Sequence, residues 1–477
     1  MNVTEVPIGA QPLDRYAEFL TEEQIERAMS VADTVRDMHE GRVVWNINST
    51  ALGGGVAEML RALLPYVRGY GIDTRWLVLG GTEEFFKITK RLHHALHGSE
   101  GDGSPLGDDE RAIYEDVLQQ NAEDLNGRVR KRDIVLLHDP QTAGLIPILH
   151  RKGAIVIWRC HVGSDSPDEQ TELAWDFLAP YMDQAVATIF TRKQYVPDCC
   201  DSGRSIIIPP SIDPFSPKNQ LMDDAAVRSI LANTGIIEGP PGESPPVFSR
   251  EDGSPGRVDR QADVIRHGRA PTWETPLVVQ VSRWDPLKDP VGVMNGYVEY
   301  LRSAPRPSDA HLVLAGPNVH AISDDIEQAA VFDNVIAEWM KLRHGIRNRI
   351  HLVCLPMADI EENGAIVNAV QTHAAVVVQK SLREGFGLTV TEAMWKARPV
   401  LASAIGGILD QIEDGVHGLL LKDPTDPAEF ASKLDILLSD EESAKEMGEA
   451  AHEKVKDNYL GIKNLVQYAE LIIRLTT

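Results

Sequence analysis

Apolar positions recur along this chain in short runs of four to six, separated by amphipathic stretches with a spacing of three to four residues. From Arg42, "RVVWNINST" predicts a buried strand, "GGGVAEMLRALLPYVRGYG" a glycine loop opening a helix, and "DTRWLVLGG" the next strand. Further strands are predicted in "RDIVLLHDP", "GAIVIWRCHV" and "ATIFTRKQYV", with helical stretches such as "AGLIPILHRKG" between them. Strand and helix in alternation make a parallel sheet the economical arrangement. A second series opens with "PLVVQVSRW", continues through "AHLVLAGP", "RIHLVCLP" and "AAVVVQKSLREGFG", and ends in "RPVLASAIGGI" and "GVHGLLLKD". The stretch "LTEEQIERAMSVADTVRDM" near the start predicts a helix that serves either packing or dimer contact, and the segment from Pro427 onward predicts helix throughout.

The run "IIIPPSIDPFSP", Ile206 to Pro217, has a proline density that neither a helix nor a central strand tolerates, and it marks a linker. The expected fold class is therefore α/β: two doubly wound, Rossmann-like lobes with a helical C-terminal tail. The expected domains are residues 1–210, an N-terminal lobe with an extension; 211–455, a C-terminal lobe; and 456–477, a helix packing back on the first lobe. Residues 238–276, rich in Pro, Gly and charge, are expected to form a flexible insert, because they hold too little apolar surface to offset the entropy of ordering.

Composition narrows the function. A chain of 477 residues with 43% apolar and 25% charged residues has ample material for two cores. Its 71 acids against 47 bases give a formal charge of -24, which disfavours nucleic acid, since a phosphate-tracking surface needs a basic stripe. An anionic small ligand would need a local pocket of Arg, Lys and backbone N–H groups. The four cysteines, Cys160, Cys199, Cys200 and Cys354, form neither a disulfide framework nor a zinc spacing. With no secretory pattern at the start and no membrane-spanning run, a cytoplasmic location is expected.

Candidate chemistry collects at predicted strand ends. "REGFGLTVTEAMWKARPVLASAIGGI", from Arg383, places Glu384 in a glycine loop and Glu392 inside the following helix. A helix N-terminus attracts phosphate, and glycines allow close approach to the backbone. Carboxylates on either side would accept hydrogen bonds from hydroxyls, so the pattern suits a nucleotide sugar, hydroxylated at both ends and phosphorylated in the middle. In "SRWDPLKDP", Arg283 and Lys288 follow another strand, where two cations could neutralise charge on a departing diphosphate. Each motif alone is more often a solvated turn or a helix cap.

In the first lobe, Gly53, Gly54 and Gly55 lie between a strand and a helix, with a spacing unlike the dinucleotide fingerprint. His138, Asp139, Arg159 and His161 end two further strands, and a histidine at such a place usually serves packing. No D-x-D triplet occurs, so no metal is expected at a diphosphate.

The Arg383–Ile408 stretch resembles the E-x7-E signature of retaining glycosyltransferases of family four, which have the GT-B fold, two lobes facing a central cleft. Taken with "INSTALGGGVAEML", "LLHDPQTAGL", "WRCHV" and "IPPSIDP", it resembles the trehalose glycosyltransferring synthases. That resemblance implies reversible transfer of glucose from UDP-glucose or ADP-glucose to the anomeric hydroxyl of free glucose, giving trehalose. No further cofactor is implied, and the partners would be sugars and the nucleotide sugar, with a homodimer expected.

Carried over, Glu392 would hold the ribose hydroxyls, Glu384 a sugar hydroxyl, and Arg283 and Lys288 the diphosphate. Gly385, Phe386, Gly387 and Leu388 would give backbone contacts to the donor, and Gly54 and Gly55 would approach the phosphate. His161 would contact the transferring glucose, Asp139 would orient sugar hydroxyls, and Arg159 would touch the acceptor. Alternatives are a retaining trehalose phosphorylase, a family-four transferase with another acceptor, and a noncatalytic nucleotide-sugar sensor.

Overall fold

A computed structural model describes residues 3–51, 54–319 and 326–477, without the side chains of 326 and 327. The chain forms two compact units, residues 1–211 with 459–477, and residues 212–458. The division at Ser211 falls within the proline-rich run.

Unit 1 carries strands β1 (Thr4–Val6), β2 (Val44–Asn48), β3 (Thr74–Val78), β4 (Ile134–His138), β5 (Ile155–Cys160), β6 (Ala187–Phe190) and β7 (Ser205–Ile207). Their order across the sheet is β1-β3-β2-β4-β5-β6-β7, all parallel except β1, which runs antiparallel along β3. The sequence pattern gave no sign of β1. Alternate residues along β2 and β4 enter different cores: Trp45, Ile47, Val135 and Leu137 face one, and Val44, Ile134 and Leu136 the other. This period of two is why both faces of the sheet must be covered by helices.

The second face is covered by helices Glu22–Met38 and Gly461–Thr476, which place Val35, Leu471 and Ile472 in that core. Thr21 fixes the start of the first of these. Its hydroxyl accepts from Gln24 N (3.3 Å), while Gln24 Oε1 accepts from Thr21 N (3.1 Å), a reciprocal cap.

Unit 2 carries β8 (Val247–Ser249), β9 (Pro255–Arg257), β10 (Asp263–Ile265), β11 (Leu277–Val281), β12 (His311–Pro317), β13 (Ile350–Leu355), β14 (Val376–Gln379), β15 (Val400–Ser403) and β16 (Leu419–Leu421). The main sheet has the order β10-β13-β12-β11-β14-β15-β16, parallel except for β10. In each unit the chain builds outward in one direction and then reverses, at β2/β4 in unit 1 and at β11/β14 in unit 2. Such a reversal leaves a crevice beyond the carboxyl ends of the two central strands, where ligands of open α/β sheets bind. Among the described residues, no helix is long and apolar enough to cross a membrane.

The segment 238–276 differs from expectation, because it contains regular structure. β8 and β9 form a hairpin, and β10 pairs with β13, Val264 opposite Val353. Counting apolar residues missed how its backbone is satisfied. Glu362, 1% exposed, accepts from the N–H groups of Asp259 and Arg260 (2.8 Å each) and pairs with the Arg260 guanidinium. Gln220 exchanges two 2.9 Å bonds with the backbone of Ser249, and Arg250 pairs with Asp359 at 2.7 Å. Phe248 and Val258 then suffice as apolar anchors. Replacing Glu362 by Ala strands two backbone donors, a cost of about 2–4 kcal/mol. We expect a lower thermal midpoint and faster proteolysis within 250–260, checked by calorimetry and timed digestion against the parent chain.

Candidate active site

The crevice of unit 2 is built from the loops after β11 and β14, which pair in parallel with Val278 opposite Val376. After β11 the chain makes a single 3-10 turn, Pro286–Lys288, capped by Asp285, whose Oδ1 accepts from Leu287 N at 2.8 Å. The turn is fixed to the sheet by Gln280 Nε2, which donates to the Lys288 carbonyl at 2.7 Å. It is fixed to the neighbouring loop by Leu382 N, which donates to the Leu287 carbonyl at 2.7 Å. Lys288 Nζ therefore meets Glu384 Oε2 at 2.5 Å. Ser381 Oγ (2.9 Å) and Gln379 Nε2 (3.2 Å) donate to the same oxygen.

Burial acts to raise the Glu384 pKa, but the Lys288 charge and these hydrogen bonds together outweigh it and hold the carboxyl below its ordinary value. Glu384 is thus an anion with a fixed orientation. Arg283 shares the loop, with its side chain 63% exposed and paired with Asp285 at 3.1 Å.

Gly387 caps the helix Leu388–Trp395 with φ 86°, and a side chain there would crowd Glu384 and Ile408 at 3.3 Å. The left-handed φ favours glycine, and the two side chains leave little room for a larger residue. The preceding backbone is held by Gly407 N on Gly385 O (3.0 Å) and Gln411 Nε2 on Phe386 O (2.6 Å), with the Phe386 ring buried. Leu388 begins the helix, so its amide lies among the free N–H groups of the first turn.

One turn further, Glu392 is 3% exposed, and its Oε1 pairs with Lys218 Nζ at 3.0 Å. Lys396 Nζ lies on the Glu392 carbonyl and on Asn219 Oδ1, both at 3.2 Å. Burial pushes the Lys396 pKa down to about 7 despite the Glu392 charge. Lys218 and Lys396 were not singled out in the sequence. Lys218 directly follows the Ile206–Pro217 linker run, where nothing ties it to Glu392, whereas Lys396 lies inside the Arg383–Ile408 signature.

In unit 1 the corresponding loops follow β2 and β4. Gly54 (φ 81°) caps the helix Gly55–Gly69, while Gly53 lies outside the described residues. Asp139, directly after β4, has φ 63° and ψ 175°, a backbone region close to glycine-only that costs about 1–3 kcal/mol. Its surroundings enforce it. Asp139 N donates to Arg159 O (2.8 Å), and its carbonyl accepts from Trp158 Nε1 and Thr142 N (3.1 Å each). Its Oδ1 accepts from His161 N (2.8 Å). Burial raises the Asp139 carboxyl to about 6.

Arg159 corrects an expectation. It is fully buried, with Nε donating to His161 Nδ1 (3.3 Å), Nη2 to Ile208 O (3.1 Å), and its guanidinium over the Tyr468 ring. So enclosed, the side chain does not reach an acceptor in this conformation; it holds the His161 ring, and its Nη1 is buried without a partner among the described residues. Because Arg159 can only donate, His161 Nδ1 must accept, which leaves the ring proton on Nε2. That nitrogen lies 3.2 Å from His138 Nδ1, and His138 Nε2 lies 3.1 Å from Asn46 Oδ1. The proton order Arg159 to His161 to His138 to Asn46 follows for two neutral imidazoles. Burial and the Arg159 charge keep both neutral, with His138 lowered to about 3. Asn46, on β2, had no sequence signal as part of this chain.

No group of three or more His, Cys, Asp or Glu side chains among the described residues is arranged to hold a metal ion.

Comparison with known proteins agrees with this layout. Residues 46–197 match the family model for the N-terminal domain of trehalose synthase, and residues 270–454 match that of glycosyl transferases group 1. The trehalose synthase of Thermococcus litoralis is 34% identical over 470 residues, covering 98% of each chain. That of Rubrobacter xylanophilus is 35% identical, covering 95% of this chain and 94% of the relative. A trehalose phosphorylase of Pleurotus pulmonarius is 24% identical over 97% of this chain but 60% of its own length. Among solved structures, a UDP-forming α,α-trehalose-phosphate synthase from Burkholderia vietnamiensis superposes with a TM-score of 0.66 at 16% identity, over 91% of this chain and 99% of that one, which shows the shared two-lobed GT-B fold. The chain belongs to the trehalose synthase family and is a glycosyltransferase acting on trehalose.

Proposed function

We propose that the protein transfers glucose, reversibly and with retention, from a nucleoside-diphosphate glucose to the anomeric hydroxyl of free glucose. The observation that carries this reading is the pairing of Lys288 with Glu384 beside the helix entrance, with Glu392 on the helix behind it. An ammonium has three N–H donors, and Glu384 takes one, so Lys288 has others for diphosphate oxygens. The first-turn amides of helix Leu388–Trp395 add partial positive charge for the same group. Glu384, held anionic, accepts from a hydroxyl of the transferring sugar. Glu392 accepts from the ribose hydroxyls, which would replace Lys218.

In the transfer itself the bond from the sugar's anomeric carbon to the leaving phosphate oxygen breaks, and its electron pair stays with the diphosphate. The acceptor's anomeric oxygen bonds to that carbon on the same face, and its proton passes to the leaving oxygen. Lys288 and Arg283 then stabilise charge that is greatest on the departing diphosphate. Asp139 serves sugar hydroxyls, and His161 reaches one by exchanging its Nε2 bond to His138, with Arg159 fixing the ring.

The test is a panel of UDP-, ADP- and other nucleotide-activated glucoses with free glucose, analysed for trehalose, together with trehalose incubated separately with UDP or ADP and with inorganic phosphate. Trehalose from a nucleotide glucose supports the proposal. Glucose 1-phosphate formed without nucleotide would instead support a phosphorylase, a reading favoured by the likeness to the Pleurotus enzyme along 97% of this chain.

Lys288→Ala is expected to lower kcat/KM by roughly 100- to 1,000-fold, in the range of losing one preorganised donor to a developing anion. If Arg283→Ala combined with Lys288→Ala left turnover within a fewfold of the parent, the assigned role would be wrong. Glu392→Gln is expected to raise the donor KM more than it lowers kcat, since ribose binding is the same in ground and transition states. For pH, Asp139 is protonated below about 6 and anionic above it. Only the anion accepts from every sugar hydroxyl it faces, so kcat/KM should rise through an apparent pKa near 6 and then level. Asp139→Asn should abolish that rise, and an unchanged acid limb in the variant would remove Asp139 as its source.

A further inference from the structure

The amino ends of β2, β3 and β4, on the edge of the unit 1 sheet away from Asp139, frame a pocket of about 480 Å³. Five arginines line it: Arg36, Arg42, Arg75, Arg128 and Arg130. A chain of charge -24 has few bases to spare, yet three of its arginines fall in the six residues Arg128–Asp133. Lining acids answer only part of this charge. Asp73 pairs with Arg75 at 3.2 Å and Glu5 with Arg128 at 3.7 Å, while Arg36 pairs outside the pocket with Asp33 at 2.8 Å. Arg42 and Arg130 make no ion pair among the described residues. The wall also includes His39, which is 4% exposed; its Nδ1 lies on the Val35 carbonyl at 2.9 Å, and its Nε2 is buried without a partner among the described residues.

Two unanswered guanidiniums in one concavity form two forks, each shaped to take a phosphate through paired N–H donors. The volume falls within the range of roughly 300–1,000 Å³ typical of small-molecule sites, more than one phosphate needs. Long-range attraction from an acidic molecule does not explain such a patch, since the net field repels anions and only close contact can favour them. We propose that this pocket is a binding site for a compact polyanion bearing two or more phosphoryl groups, separate from the sugar-transfer residues. The site is linked to the candidate chemistry through the strands themselves. Asp133, just before β4, accepts from Trp45 Nε1 (2.9 Å) and from the amides of Val43 (3.2 Å) and Arg130 (2.9 Å), while His138 ends that strand roughly 17 Å away at about 3.3 Å per residue. A ligand drawing on Arg42 and Arg130 therefore bears on the segment that holds β2 against β4.

The test uses the full chain and inorganic tripolyphosphate as the probe, titrated by calorimetry at low ionic strength. Three proteins are compared: the parent, the double variant R42S/R130S, and R283A/K288A, in which the donor loop loses its cations. Binding in the parent that survives in R283A/K288A and weakens at least about tenfold in R42S/R130S supports the site, as expected for losing two charge-assisted contacts. Equal affinity in the parent and R42S/R130S, binding lost in R283A/K288A alone, or no binding by the parent overturns it. If the double variant does not fold, R42S and R130S are measured singly, each expected to weaken binding severalfold, and no weakening in either overturns the proposal. Since no outcome depends on sugar transfer, failure here and failure of the proposed reaction are distinguishable.

Discussion

The constraint on which the site depends is topological: β11 lies between β12 and β14, so the loops leaving the carboxyl ends of β11 and β14 emerge side by side with the chain building away from them in opposite directions. Neither loop can be covered by the helix that follows the other strand. The opening so created brings Lys288 and Glu384 to hydrogen-bond distance although they belong to different βα units. The Leu382–Leu287 backbone bond and the Gln280 side chain then remove the remaining freedom of the loop. The same reversal at β2/β4 in unit 1 brings Asn46 to His138, and the β4/β5 pairing brings Asp139 to His161. In both units the sheet order therefore determines which polar side chains can meet.

Burying those charges limits what the site can be. A carboxylate enclosed by protein is costly unless it is paired and hydrogen-bonded. Glu384 meets this with one cation and two neutral donors on a single oxygen, and Glu392 with Lys218. The two pairs differ in kind. Glu384 keeps its partners from its own sheet and the adjoining loop, whereas the Lys218 side chain is 31% exposed and reaches Glu392 from the entry segment of the unit. A ligand's hydroxyls can displace a half-exposed lysine at modest cost, because its ammonium can return to water. Lys218 thus acts as a counter-charge that spares the buried Glu392 an unpaired state.

The strands were legible because each fills a sheet covered on both faces, so its residues are nearly all apolar over four or more positions, a pattern that few other elements share. The glycine loop and Glu384 were legible for a related reason: φ 86° at Gly387 and the close approach of Ile408 strongly favour glycine at that position. What stayed hidden was pairwise. Nothing local announces that Glu362 satisfies the amides of Asp259 and Arg260, or that Lys218, just after a proline-rich run, answers Glu392. Edge strands β1 and β10, three residues each, are too short for a period to register. Arg159 was misjudged because a charged residue at a strand end reads as a ligand contact, while its position against Tyr468 is fixed by the C-terminal helix, far away in sequence.

The backbone at Asp139 connects these arguments. An aspartate held near φ 63°, ψ 175° would relax unless several contacts opposed it, and those contacts are the ones that orient its neighbours. The Asp139 amide is held by the Arg159 carbonyl, and its carboxylate holds the His161 amide, so β4 and β5 are joined just where both strands end. Arg159, by donating to His161 Nδ1, sets the direction of the proton order through His138 to Asn46. With the imidazoles neutral and their protons assigned, His161 cannot accept a proton at Nδ1 without losing the bond from Arg159, which can only donate. The His161 ring is thereby fixed in one tautomer with both nitrogens occupied. An imidazole held in this way has no free nitrogen with which to exchange a proton with a ligand unless one of the two bonds opens.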